Sequence, residues 1–229
     1  GWMRVYDLPQ DCMSSSAPPL YPNSSEQTGE AQLPPWDPNQ PDSLGAALRV
    51  QEGELIYDSA WYSCMNAADP VSCCFASTSR AHPVHLWDAM SGDLRATYRG
   101  FNDVDEVTAA FSLAFSPDGT KLYAGYSKWI LAFDVARPGR ESRKISCSVK
   151  GPGKYSARLP GMVSSMAFTP DGSGLAVGTY AGSIGIFDPR VPEMQLVLQG
   201  HKGGITQLQY TNDGMCLLSG ARQDADLLC

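Results

Sequence analysis

Four times between residues 56 and 229 the chain begins the same order of apolar strand, turn and second strand, and three of these units go on to a third strand that ends in an aromatic residue and Asp. The clearest turns are Pro117-Asp118-Gly119, Pro170-Asp171-Gly172 and Asn212-Asp213-Gly214, and the third strands close on Trp87-Asp88, Phe133-Asp134 and Phe187-Asp188. Units spaced roughly 42 to 54 residues apart match four-stranded propeller blades with some loop insertions. The sequence therefore predicts an all-β β-propeller fragment, with three full blades and a partial blade at each end.

The expected layout follows from where this order starts and stops. Residues 1–8 and 46–50 are the end of an incomplete first blade, with Tyr6-Asp7 as its aromatic-Asp pair. Between them, residues 9–45 are rich in Pro, Ser, Asn and Gln, too poor in apolar side chains to offset the entropy of ordering, and read as a disordered loop. Blades are expected over 51–99, 100–150 and 151–199, and a truncated one over 200–229. Each of the three is assigned four strands, the last in the second blade near Lys144 to Val149.

Several function classes drop out. No apolar run approaches the roughly 18 residues of a membrane span, and the N-terminus shows no basic and apolar leader. The formal charge of −7 repels polyanions as a whole, so a nucleic acid would need a local cationic patch. Seven cysteines, odd in number and without C-x-x-C spacing, read as reduced thiols of a cytosolic or nuclear protein. There is no phosphate-binding loop, G-x-S-x-G elbow or paired catalytic carboxylates, so neither catalysis nor a cofactor is expected. His82 and His85, two residues apart across a Pro, do not make a metal site.

WD-repeat blades often share a buried hydrogen-bonded set of His, Ser or Thr, Asp and Trp. The last unit offers His201, Ser219 and Asp224 in matching positions, which makes His201 structural; Trp87 has no matching His ahead of its blade. Loops between second and third strands gather on one propeller face: Arg80-Ala81-His82, Tyr126-Ser127-Lys128, Tyr180-Ala181 and Arg222-Gln223, beside His201 and Lys202. Alternating Tyr, His and Arg suit base stacking with phosphate contacts to single-stranded RNA loops, while a polar face that binds protein or nothing is the competing reading. Residues 137 to 158 collect Arg137, Arg140, Arg143, Lys144, Lys150, Lys154 and Arg158 against Glu141, either a phosphate-binding segment or a solvated strand edge protected by charge. Asp103, Asp105 and Glu106 form an acidic loop read as solvated.

Beyond a generic WD repeat, the runs EGELIYDSAWYS (52 to 63), SRAHPVHLWDAMSGDLRATYR (79 to 99), DEVTAAFSLAFSPDG (105 to 119), ARPGR (136 to 140), GHKGGIT (200 to 206) and SGARQDADLLC (219 to 229) closely resemble the telomerase Cajal body protein family. The resemblance covers nearly all of residues 46 to 229 and the opening strand. It implies a non-enzymatic nuclear WD-repeat propeller that binds the CAB-box loop of H/ACA small Cajal body RNAs and, in some lineages, telomerase RNA with its ribonucleoprotein proteins. Such a protein targets these particles to Cajal bodies and supports telomere maintenance, with no membrane or DNA partner. Carried over by position, GHKGGIT supplies the structural His201 and SGARQDADLLC supplies Arg222; with the residue types of the loop face, Arg222, Arg80 and Lys202 are then expected as phosphate or base contacts, and Tyr126 and Tyr180 as stacking partners. A protein-only interaction scaffold is the alternative.

Overall fold

The computed structural model describes residues 1–6, 46–149, 157–191 and 193–222. Among these, every regular element is a strand. A short pair comes first: β1 (Trp2–Val5) lies antiparallel to β2 (Leu48–Gln51), joining the two sides of the Pro/Ser-rich segment, which itself falls outside the described residues. Three four-stranded antiparallel sheets follow. The first is β3 (Ile56–Trp61), β4 (Cys74–Ser79), β5 (Val84–Asp88) and β6 (Leu94–Tyr98). A small hairpin, β7 (Gly100–Phe101) with β8 (Val107–Thr108), leads to β9 (Ser112–Phe115), β10 (Lys121–Gly125), β11 (Trp129–Asp134) and β12 (Ser142–Ser146). Another, β13 (Ser148–Val149) with β14 (Ala157–Arg158), leads to β15 (Val163–Phe168), β16 (Leu175–Thr179), β17 (Ser183–Phe187) and β18 (Met194–Gln199). The pair β19 (Ile205–Tyr210) and β20 (Leu217–Ala221) comes last. This is the WD-repeat propeller fragment expected from the sequence.

The repeated turns explain the repeated letters. In each, the glycine sits at positive φ, +70° at Gly119 and +71° at both Gly172 and Gly214, where a Cβ is strained. Its N–H closes the turn on the carbonyl of Ser116, Thr169 or Thr211. The carboxylates of Asp118, Asp171 and Asp213 accept the N–H two residues on, from Thr120, Ser173 and Met215. The aromatic-Asp pairs work the same way: Asp88, Asp134 and Asp188 accept the N–H of Met90, Ala136 and Arg190, holding the turn into the fourth strand.

The sheets stack through their first strands, since β3 contacts β9, β9 contacts β15, and β15 contacts β19. Each junction has a side-chain staple from an equivalent position. Asp58 accepts the Leu113 N–H at 2.8 Å, Ser112 donates to the Val163 carbonyl at 3.1 Å, and Ser165 accepts the Leu208 N–H at 3.0 Å. The core lies between sheets: Val84, Leu86 and Tyr98 meet Leu113, Leu122 and Phe133, while Ile130 and Ile145 meet Leu159, Leu175 and Phe187. Burying each such side chain contributes about 1.5–3 kcal/mol. The second strands of the three four-stranded sheets are buried on both faces and close-fitting. A Cβ on Gly125 would come within 2.5 Å of Val163, and one on Gly178 within 2.6 Å of Ile205.

One strand boundary differs from expectation. The fourth strand of the second sheet is Ser142–Ser146, where the sequence suggested Lys144 to Val149. Ile145, opposite Ile130, is its buried anchor, and the Cys147 N–H donates to the Lys128 carbonyl just beyond the strand's end.

Candidate functional site

In an up-and-down sheet the loops joining second to third strands share one end with the connections between sheets. At that end three segments interlock. Tyr180 follows β16 and is 48% exposed; Arg222 follows β20 and donates from Nη1 to the Tyr180 hydroxyl at 3.2 Å. Between them runs the 200–204 loop, whose Gly204 carbonyl accepts the Arg222 N–H at 2.8 Å. The glycines are steric necessities: a Cβ on Gly203 would lie 1.6 Å from the Arg222 carbonyl oxygen, and one on Gly204 3.1 Å from the Tyr180 ring. Lys202 is exposed on the same loop. The structure therefore brings Tyr180 and Arg222 into contact and sets the loop that carries exposed Lys202 against both.

His201, beside Lys202, accepts from or donates to the Ser219 hydroxyl through Nε2 at 2.7 Å. Its ring is exposed, unlike the buried set expected, because among the described residues nothing packs beyond β20 on that side. Asp224, the third member, lies outside the described residues. Arg80 is exposed at the same end but on the first sheet, two sheets from Tyr180; its carbonyl accepts from His82 Nδ1 at 2.8 Å.

Tyr126 is not at the surface. It is 1% exposed and lies under Gly100, where a Cβ would come 2.1 Å from its hydroxyl. Its ring stacks on Trp129 with centroids 6.3 Å apart. A ring covered in this way cannot stack on a base, so the expected role for Tyr126 is corrected to a core one. Burial pushes its phenol pKa up. Its hydroxyl and the Trp129 Nε1 have no hydrogen-bond partner among the described residues.

The basic run is also placed differently from a free cationic patch. Arg140 pairs with Asp105 and covers the Phe101 ring at 4.1 Å, and Lys144 pairs with Asp103 at 2.9 Å and covers Trp129 at 4.3 Å. Arg143 donates to the Pro189 carbonyl. The acidic loop thus serves as counter-charge to this strand edge. Exposed pairs of this kind contribute about 0–1 kcal/mol. Lys150 and Lys154 fall outside the described residues.

Sequence reasoning missed Glu52. It occupies the place ahead of the first sheet where a His was sought, and it is 2% exposed. Ser77 donates to its Oε1, Ser79 donates to Oε2 at 3.1 Å, and His85 Nδ1 lies 3.1 Å from Oε1. Trp87 Nε1 completes the chain by donating to the Ser77 hydroxyl at 2.8 Å. Burial pushes the Glu52 carboxyl up, but the bonds from His85 and Ser77, the His85 charge and the Ser79 bond outweigh it and hold the group at about 2. The available signal was the pairing of Ser77 with His85 across β4 and β5, which puts Ser77, Ser79, His85 and Trp87 on one face. His82 and His85 are thus committed to separate partners, and no cluster of three potential metal ligands occurs among the described residues.

Comparison with known proteins agrees with this architecture. The family model for the WD domain, G-beta repeat, matches residues 153–188 and 192–226. The chain is 40% identical over 227 residues to telomerase Cajal body protein 1 of Homo sapiens, covering 99% of this chain and 37% of that protein. It is 40% identical over 186 residues to the telomerase Cajal body protein 1 homolog of Drosophila melanogaster, covering 79% of this chain and 32% of that one. A guanine nucleotide-binding protein negative regulator 1 of Schizosaccharomyces pombe is 32% identical over 182 residues, 77% of this chain and 45% of the relative. The chain thus spans less than half the length of these relatives.

Proposed function

Because the chain belongs, over the stretch it covers, to the WD-repeat telomerase Cajal body protein family, we propose that it is part of a non-enzymatic RNA-binding scaffold. Its target is the CAB-box loop of H/ACA small Cajal body RNAs, with telomerase RNA added in some lineages. The complete protein carries these ribonucleoproteins to nuclear Cajal bodies and so supports telomere maintenance. The observation that carries this reading is the half-exposed Tyr180 ring bonded to Arg222, with exposed Lys202 on the adjoining loop of an otherwise acidic molecule. Arg80 serves as a more distant backbone contact at the same end. His201 positions the Lys202 loop through Ser219.

Retention of an H/ACA RNA by the full-length protein tests the reading. An RNA with an intact CAB loop should be held, and equal retention of a loop mutant would reject sequence-specific recognition. A protein-only scaffold is the second reading, favoured by the name of the Schizosaccharomyces pombe relative. Partners that stay bound after RNA digestion would support it.

A further inference from the structure

The end of the first sheet opposite the Tyr180 cluster departs from the repeat. Where the later sheets turn on Asp-Gly, residues 62–73 form an ordered loop. Ser72 Oγ donates to the carbonyl of Asn66 or Asp69, and Ser63 Oγ donates across the junction to the Ser116 carbonyl at 2.6 Å. Tyr62 packs edge-on against Phe115. Yet this fixed loop points apolar side chains at solvent. Val71 is 78% exposed and Met90, on the adjoining turn, is 70% exposed; Met65 on the same loop and Leu94 after the turn are exposed too. One carboxylate organises the pair. Asp88 Oδ1 accepts the Met90 N–H at 2.7 Å, while Oδ2 holds Arg95, whose guanidinium also donates to the carbonyls of Pro70 and Val71.

Apolar side chains held largely exposed on a hydrogen-bonded backbone mark a docking surface, because the cost of ordering that backbone on binding is already met by the fold. The surrounding charge selects the partner. Arg95 is committed to Asp88, and Lys121 across the junction is committed to Asp134. Exposed Asp69, Asp93 and Asp118 form no ion pair among the described residues. We propose that this turn end docks a cationic segment of another polypeptide, one that carries apolar side chains between its Lys or Arg residues. Val71 and Met90 supply the apolar contact, and Asp69 and Asp93 the charge complement. An RNA backbone is disfavoured here by the same carboxylates.

The probe is a fluorescent 12-residue peptide of paired arginines separated by single leucines, titrated into the full-length protein and read by anisotropy. Binding should weaken at least about tenfold in the double variant Val71→Ser, Met90→Ser, whose thermal stability stays at the wild-type value since both side chains are exposed. Asp69→Asn with Asp93→Asn should weaken binding and reduce its salt dependence. Retention of H/ACA RNA should be unchanged in both. Wild-type peptide affinity in the Val71 and Met90 variant would overturn the proposal, as would equal binding of a leucine-free arginine peptide. Loss of RNA retention in that variant would also overturn it. A dimer in sedimentation that the variant abolishes and the peptide does not displace would assign the surface to a second copy instead, against the proposal.

Discussion

Trp87 donates its indole N–H to the Ser77 hydroxyl, and Ser77 in turn donates a hydrogen bond to the Glu52 carboxylate, so a tryptophan and a carboxylate from different parts of the chain share one serine. The arrangement fixes the hydroxyl's direction. It also makes Glu52 the one charge that three buried or half-buried donors depend on.

Glu52→Ala is therefore expected to destabilise the full-length protein by about 3–5 kcal/mol, the cost of leaving a buried network without its acceptor. Chemical denaturation of wild type and variant measures it, and a loss under about 1 kcal/mol would contradict the role assigned to Glu52.

The same carboxylate gives a pH dependence. Its folded value of about 2 lies below the ordinary 4.5, so its stabilisation is fully present above about pH 4.5 and is lost as pH falls toward 2. The amount at stake is on the order of 3 kcal/mol. Urea midpoints between pH 6 and pH 2 should fall less steeply in Glu52→Gln than in wild type, and equal slopes would contradict the assignment.

Tyr180→Ala should weaken RNA binding by about 1–3 kcal/mol, the value of one stacked base, with little effect on thermal stability because the ring is half exposed. Arg222→Ala should weaken it as well and lower the salt dependence. Filter binding over a salt series reads both. Unchanged affinity in both variants would remove this cluster from the RNA site.

Tyr126→Phe separates the buried tyrosine from the exposed one. Its hydroxyl is buried without a partner among the described residues, so removing it should leave stability unchanged or raise it by about 1 kcal/mol, with RNA affinity at the wild-type value. A fall in RNA affinity would return Tyr126 to the binding face.

Gly203→Ala forces a Cβ against the Arg222 carbonyl, a backbone atom that cannot rotate away. Destabilisation of about 1–3 kcal/mol and weaker RNA binding are expected together, read by thermal melting and the same binding assay. An unperturbed melting temperature would show that the 200–204 loop is not held as described.

Much of the architecture was legible because its signals are local. The Asp-Gly turns and aromatic-Asp pairs each use a side chain to satisfy a backbone N–H two residues away, so the letters and the geometry coincide at Asp118, Asp171, Asp88 and Asp188. The clustering of Tyr180 with Arg222 followed from the same strand order. What escaped depends on distant residues. Tyr126 looks like a loop tyrosine until Gly100, from the preceding connection, is seen to cover it. Glu52 reads as a surface acid until Ser77, Ser79 and His85 converge on it from two other strands. The basic run could be read either as a phosphate-binding segment or as a charged strand edge, because its counter-charges, Asp103 and Asp105, are some forty residues upstream for Lys144 and thirty-five for Arg140.

At each junction between sheets, Asp58, Ser112 or Ser165 reaches main-chain atoms of the neighbour, never one of its side chains. A neighbour can then exchange the residue it presents there without releasing the clasp. Divergence at Leu113, Val163 or Leu208 is limited by packing volume alone, which lets consecutive modules drift apart in composition while the angular spacing between them is inherited intact.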